Sequence, residues 1–399
     1  KAALPVAPGI YEPSWYITTG FPLTLPLAGV FALFGTSVEG ARVVMALFLI
    51  AFFTIAYRYT RKAFVGATAW LAFLLLVFFA PLYGNGRNVL GEIPGLLFVF
   101  FSVFPLINGK ELSKKSAVWI GGWAGMAVAT KPLFLLFLPA VLLSLLLRHK
   151  SLNLSRVFWF GVLGVSAPIL VWVALQFDAT TLAAVISVYA NPHNVSVGAS
   201  ILANAWRLVT EAQPLYFLGA LCVWAISYGV RRWRKVEVPA AEECLLFFSV
   251  LVALAYLRTT GYYRYFFPAQ VFALLYLPQS LLYLANLLGR RYVWIGTGVV
   301  VLLISFQAHA TVFRSWVAVH YNATRTQALE SYFETLPDTQ EVFVYQAPEM
   351  VPFAYAHAVS QYVLVTPIVI VGEKYRPQVL SGTASLVLVP GELYLREAT

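Results

Sequence analysis

The chain has 399 residues, 60% of them hydrophobic and 11% charged, with a formal net charge of +10. That is more apolar surface than a soluble core can hide, so composition excludes an ordinary soluble domain and gives a polytopic membrane protein. Repeated apolar runs of about 17 to 22 residues favour helices over a β-barrel, whose strands alternate in segments of about 10.

In chain order, residues 1–20 are rich in Pro, Tyr and Trp and lack the basic-then-apolar pattern of a signal peptide. Phe21 to Phe34 is apolar but short and holds Pro22 and Pro26, which suits a helix lying at the interface or dipping into the membrane. About ten spans follow, near 41–57, 64–83, 90–108, 117–131, 133–147, 157–177, 214–230, 242–257, 265–288 and 293–311. Cys222 and Cys244 both fall in apolar runs, which supports neither a disulfide framework nor a cysteine metal site.

The connections alternate in charge. Arg58, Arg61 and Lys62; Lys110, Lys114 and Lys115; Arg148, Lys150 and Arg156; Arg231, Arg232, Arg234 and Lys235; and Arg290 and Arg291 fill five short connections with more than half of the 27 Lys and Arg residues. The positive-inside rule puts these loops in the cytoplasm. The basic charge therefore reports topology, and no nucleic-acid partner is expected. Ten crossings leave both chain ends outside. The outer face then collects residues 1–40, the loop 84–92, the turn at Lys131, the long loop 178–213 and the turn 258–264. Everything from about 312 onward reads as a small extracytoplasmic α/β domain, with a helix over 324–335 and strands at 341–345, 362–371 and 385–389. The expected architecture is an all-α membrane bundle over 1–311 with that domain over 312–399.

Glu92 sits at the mouth of a span, after Gly91 and before Pro94. An ionised carboxylate there is costly unless paired, and the helix N-terminus favours it. It can serve as a metal ligand or accept a proton from a substrate hydroxyl. Arg87, five residues earlier, is its nearest basic neighbour in sequence and the main structural explanation for it. Lys131 interrupts two apolar stretches, and the short hairpin around it can leave it recessed in a cavity. Snorkelling is the plain alternative. Arg258 and Arg264 share that side, and with Lys131 they could clamp a lipid-linked phosphate. His193, in Asn191-Pro-His-Asn on the outer loop, is the other candidate ligand, so a divalent metal on Glu92 and His193 is the one cofactor the sequence allows.

Gly20-Phe-Pro-Leu-Thr-Leu-Pro-Leu, Phe31-Ala-Leu-Phe-Gly35, Arg87 through Gly-Glu-Ile-Pro, Ala129-Thr-Lys-Pro and Arg264-Tyr-Phe-Phe-Pro268 occur in this order with matching sidedness. In this the chain resembles GT-C membrane glycosyltransferases, in the branch of protein O-mannosyltransferases and the lipid A aminoarabinose transferase, over roughly residues 15 to 290. The resemblance implies inverting transfer of a sugar from a polyprenyl-phosphate donor to a lipid, glycan or protein acceptor, on the extracytoplasmic face of the cell (inner) membrane. It maps Glu92 to the family's acidic loop position, Lys131 to its Thr-Lys position, and Arg264 and Tyr265 to the Arg-Tyr position beside the donor phosphate.

The family also keeps a catalytic Asp after its first transmembrane helix, whereas no Asp precedes Asp178 here. One further span upstream of Lys1 would supply that Asp and restore the family's cytoplasmic start. Within the chain, Glu12 is the substitute. On the expected mechanism the carboxylate deprotonates the acceptor hydroxyl, while Lys131 and Arg264 stabilise the departing phosphate. Two other classes compete: a non-catalytic scaffold or assembly subunit with membrane-complex partners, and a transporter. A transporter would keep its charges near the midplane rather than at the outer rim.

Overall fold

The computed structural model describes residues 3–7, 10–13, 19–108, 113–148, 156–177, 196–259, 261, 263–314, 331–332, 334–335, 342–345, 361–364 and 386–388. An antiparallel hairpin of β1 (Ala3–Ala7) and β2 (Ile10–Pro13) comes first. Helix α1 (Phe21–Phe34) then fills the short apolar stretch, with Pro22 in its first turn, where a missing N–H costs nothing. Next come α2 (Val38–Ala63), capped by the Ser37 hydroxyl on the Gly40 N–H, then α3 (Ala67–Val77), α4 (Ala80–Arg87) and α5 (Glu92–Val103). α6 (Lys114–Thr130), a 3₁₀ turn at Pro132–Leu136, α7 (Phe137–Arg148) and α8 (Arg156–Gln176) complete the first half. The second half contains α9 (Val197–Thr210), α10 (Ala212–Trp233), α11 (Ala240–Tyr256), α12 (Phe267–Leu288) and α13 (Arg290–His309).

Among the described residues five helices are both long and apolar enough to cross a membrane, or six if the bent pair α3–α4 is one span. The expected continuous span 64–83 is broken: α3 and α4 meet at 52°, and α4 runs on into the expected outer loop. Pro81, lacking an N–H to continue the ladder, sits in the first turn of the second piece. The expected loop 178–213 is likewise not all loop, because Val197–Thr210 within it form α9. Ser196 caps that helix through the Ala199 N–H, and Ile201, Leu202, Trp206 and Val209 form an exposed apolar side while Asn204 and Leu208 are buried.

Burial is arranged as lipid requires. α5 is buried from Glu92 to Phe100, and α12 from Phe267 to Pro278; a helix apolar all round is an interior helix. α8 and α13 instead expose Leu163, Leu170, Trp294, Leu302 and Phe306, as lipid-facing helices do. Small residues bring α6 and α8 together: a Cβ on Gly121 would lie 2.2 Å from the Gly161 carbonyl oxygen, so only glycine permits this approach. In the core Trp224 stacks on Tyr276 at 4.4 Å, and the Tyr276 and Tyr59 hydroxyls are 2.5 Å apart.

Three short strands are described near the stretches expected to form them, the second only over Gln361–Leu364 against the expected 362–371. β3 (Val342–Tyr345) pairs in parallel with β4 (Gln361–Leu364) and β5 (Leu386–Leu388), in the order β4-β3-β5. The helix expected over 324–335 lies mostly outside the described residues.

Candidate functional site

Four chain segments converge at one end of the bundle. The Gly20 N–H, at the start of α1, donates to the Thr130 carbonyl at the end of α6 (3.1 Å). Gly91, just before α5, packs on the same Thr130: it is left-handed at φ 82°, and a Cβ there would sit 3.1 Å from that carbonyl oxygen. Gly91 therefore answers two demands, a backbone angle costly for L-residues and a close approach. At the end of α8 Trp172 donates to Gln176 (3.0 Å), whose amide reaches the Thr19 carbonyl (3.4 Å).

This convergence seats Glu92 and Lys131. Glu92 is the first residue of α5 and is fully buried, and Lys131, extended between α6 and the Pro132 turn, is only 7% exposed. The Lys131 ammonium donates to Glu92 Oε1, an ion pair closed across 39 residues of chain. The other carboxylate oxygen, Oε2, is buried with no hydrogen-bond partner among the described residues. A buried charge this incompletely satisfied is expensive and rare in a structural pair. Pro94 and Gly95 let the next turn of α5 close on Phe134, since a Cβ on Gly95 would meet that ring at 2.0 Å.

Arg264 lies within electrostatic reach of Lys131. It is exposed in the short turn Tyr263–Tyr265, with its guanidinium 5.2 Å from the Tyr265 ring centre, and its charge acts on Lys131 alongside that of Glu92. Two cations and one carboxylate from α5, the α6–α7 joint and the α11–α12 joint thus share one field, which suits a substrate carrying a phosphate. Arg258, half-buried, follows the last turn of α11, its N–H on the Ala255 carbonyl (2.9 Å). Arg87, also half-buried, ends α4 five residues before Glu92. Glu92 takes Lys131, distant in sequence, as its ion-pair partner.

Glu12 lies on β2, in register with Leu4 of β1. His193 lies outside the described residues. Among those residues no group of three or more His, Cys, Asp or Glu converges.

A second charged cluster lies at the start of α11, where the sequence shows its acids only as the first residues of an apolar span. Glu242 receives a bidentate Arg231 and the Trp224 indole N–H (3.0 Å). Glu243 receives Arg148 (2.6 Å), the Tyr228 hydroxyl (3.0 Å) and Ser144 (3.4 Å), with Arg232 at 3.7 Å. The signal was present: a Glu-Glu pair opening an apolar run, opposite basic residues closing two others.

Three comparisons bear on this arrangement. Residues 23–175 match the family model described as dolichyl-phosphate-mannose-protein mannosyltransferase; that stretch contains Arg87, Glu92 and Lys131 and ends before Arg258, Arg264 and Tyr265. No curated protein matches the sequence. The crystal structure of ArnT from Cupriavidus metallidurans in the apo state is similar at TM-score 0.51 and 14% identity, covering 90% of this chain and 78% of that one. The structure of the same protein bound to undecaprenyl phosphate aligns with the same coverage and identity at TM-score 0.49.

Proposed function

We propose that this chain is a GT-C membrane glycosyltransferase, a reading supported by its ArnT-like fold and its match over residues 23–175, and that it moves a sugar from a polyprenyl-phosphate donor to an acceptor hydroxyl on the extracytoplasmic side of the membrane. The observation that carries the reading is the buried Glu92–Lys131 pair with one carboxylate oxygen unsatisfied, beside Arg264. The description of the matching family, with its dolichyl-phosphate mannose, favours a lipid-phosphate donor.

The reaction is an inverting displacement. The acceptor oxygen attacks the anomeric carbon, the bond from that carbon to the phosphate oxygen breaks, and the lipid phosphate leaves with the electron pair. Charge develops on that oxygen, so cations fixed beforehand lower the barrier without reorganising. Lys131 is fixed by Glu92 and by the extended backbone at Thr130–Pro132; Arg264 rests on Tyr265. Arg87 and Arg258 add to the positive field around the lipid phosphate. Glu92 Oε2 is the acceptor within the described residues for the hydroxyl proton or for a sugar hydroxyl, and Glu12 is a second carboxylate of the same predicted face. No step is assigned to a divalent metal.

The test is transfer from radiolabelled polyprenyl-phosphate sugars in membranes carrying the wild type, Glu92→Gln or Lys131→Ala. Incorporation dependent on the wild type and lost in both variants supports the reading. Equal incorporation in all three overturns it.

A further inference from the structure

Arg264 follows a turn that is held partly from outside itself. After α11 ends at Tyr256, the chain has nine residues to reach Tyr265, and α9 supplies what fixes them. Asn204, buried to 4% exposure, aims its amide at the carbonyls of Tyr256 (3.4 Å), Leu257 (3.1 Å) and Thr259 (2.6 Å). The first of these is the last carbonyl of α11, which also accepts the Thr259 N–H (3.0 Å). One turn along α9, Arg207 donates to the Gly261 carbonyl (2.8 Å), and its guanidinium lies 5.1 Å from the Tyr263 ring centre. Glu211 holds Arg207 from behind (2.8 Å) and raises its pKa further.

The turn is shaped to receive this clamp. Gly261 is left-handed at φ 81°, and a Cβ there would sit 2.1 Å from Arg207 Nη1 and 2.5 Å from Asn204 Oδ1. The Tyr256 hydroxyl donates to the same Gly261 carbonyl (3.2 Å), and the Gly261 N–H donates to Thr259 Oγ1 (3.2 Å). Arg207 therefore grips residues 261 and 263, the second of them next to Arg264.

We propose that Asn204 and Arg207 are positioning residues for sugar transfer: from α9 they fix the turn 257–265, and so the place of Arg264 beside the Glu92–Lys131 pair, without touching the substrate. The inference rests on the donor reading given above, in which Arg264 faces the lipid phosphate. It also assigns the buried face of α9, an amphipathic helix, to setting a donor-site cation.

The experiment uses the full chain in lipid nanodiscs, with undecaprenyl monophosphate as the binding probe and amide hydrogen exchange over residues 256–266 as a readout independent of activity. Asn204→Leu and Arg207→Gln are expected to speed exchange in that stretch and weaken probe binding about tenfold. Arg264→Gln weakens binding to a similar extent while exchange stays slow. Combining Arg207→Gln with Arg264→Gln weakens binding no further than Arg264→Gln alone, because the clamp acts only through that residue. Unchanged exchange, faster exchange with unchanged binding, or additive losses in the double variant would each overturn the clamp. A wild-type protein that does not bind the probe at all refutes the donor reading itself, and the clamp with it.

Discussion

The start of α11 and the start of α5 carry buried carboxylates of the same chemistry under opposite conditions. In α11 Glu242 and Glu243 are saturated, with Arg231, Arg148, Arg232, Trp224, Tyr228 and Ser144 facing them. At the start of α5 Glu92 has a lysine on one oxygen and no hydrogen-bond partner among the described residues on the other, with the exposed Arg264 within electrostatic reach of that lysine. Complete satisfaction repays desolvation and locks helices together, whereas an unfinished shell keeps capacity for a ligand. The saturated cluster joins α7, α10 and α11, so it reads as a fastening, and the incomplete one reads as a site.

The largest effect should come from cutting the fastening. Arg231→Leu leaves Glu242 buried and unpaired, a loss of about 3–5 kcal/mol of stability, seen as a lowered thermal unfolding midpoint in detergent. Replacing Arg231 and Glu242 together by Leu should recover much of that loss. Unchanged melting in Arg231→Leu, with transfer abolished, would turn this end into a functional site and break the contrast.

At the start of α5, Lys131→Met should lower transfer about 10² to 10³-fold, as removal of one preorganised charge stabiliser does. Adding Glu92→Gln removes the orphaned charge, so the double variant should regain melting temperature and not activity. Activity returning along with stability would make Glu92–Lys131 a second fastening.

Gly91→Ala sharpens the comparison through the backbone. The left-handed angle costs an alanine about 1–2 kcal/mol, and relief requires moving Glu92 away from Thr130. Transfer should therefore fall more than melting does; equal losses would separate the geometry of Gly91 from the chemistry. The smallest stability effect belongs to Arg264→Gln. It should lower kcat/KM for the donor about tenfold while stability stays within about 0.5 kcal/mol, as expected for an exposed side chain. A larger shift in melting than in kcat/KM would make Arg264 part of the scaffold.

Much of the helical layout was legible because of what a bilayer demands. Backbone polar groups cannot be left open in hydrocarbon, so each long apolar run must close its own hydrogen bonds as a helix. Helical segments lie within each of the ten expected stretches, five or six of the helices being long and apolar enough to cross a membrane, and α1 matches its expected bounds from Phe21 to Phe34. The misses share a cause. α9 reads as loop in the sequence because its apolar residues cover one side only, and the break at Phe78–Phe79 is hidden inside a continuous apolar run. Glu92, Lys131 and Arg264 were singled out from their sidedness, but nothing local could reveal which of the nearby cations Glu92 would take.

Composition and the order of apolar segments determined the class and most of the helices, because those follow from the cost of charge and open backbone in lipid. Only the folded arrangement decided that Lys131 meets Glu92, that Arg231 meets Glu242, and that a helix in the middle of the chain grips the turn bearing Arg264. Pairing of buried charges depends on distance in space. A sequence lists the partners without saying how the helices that carry them cross.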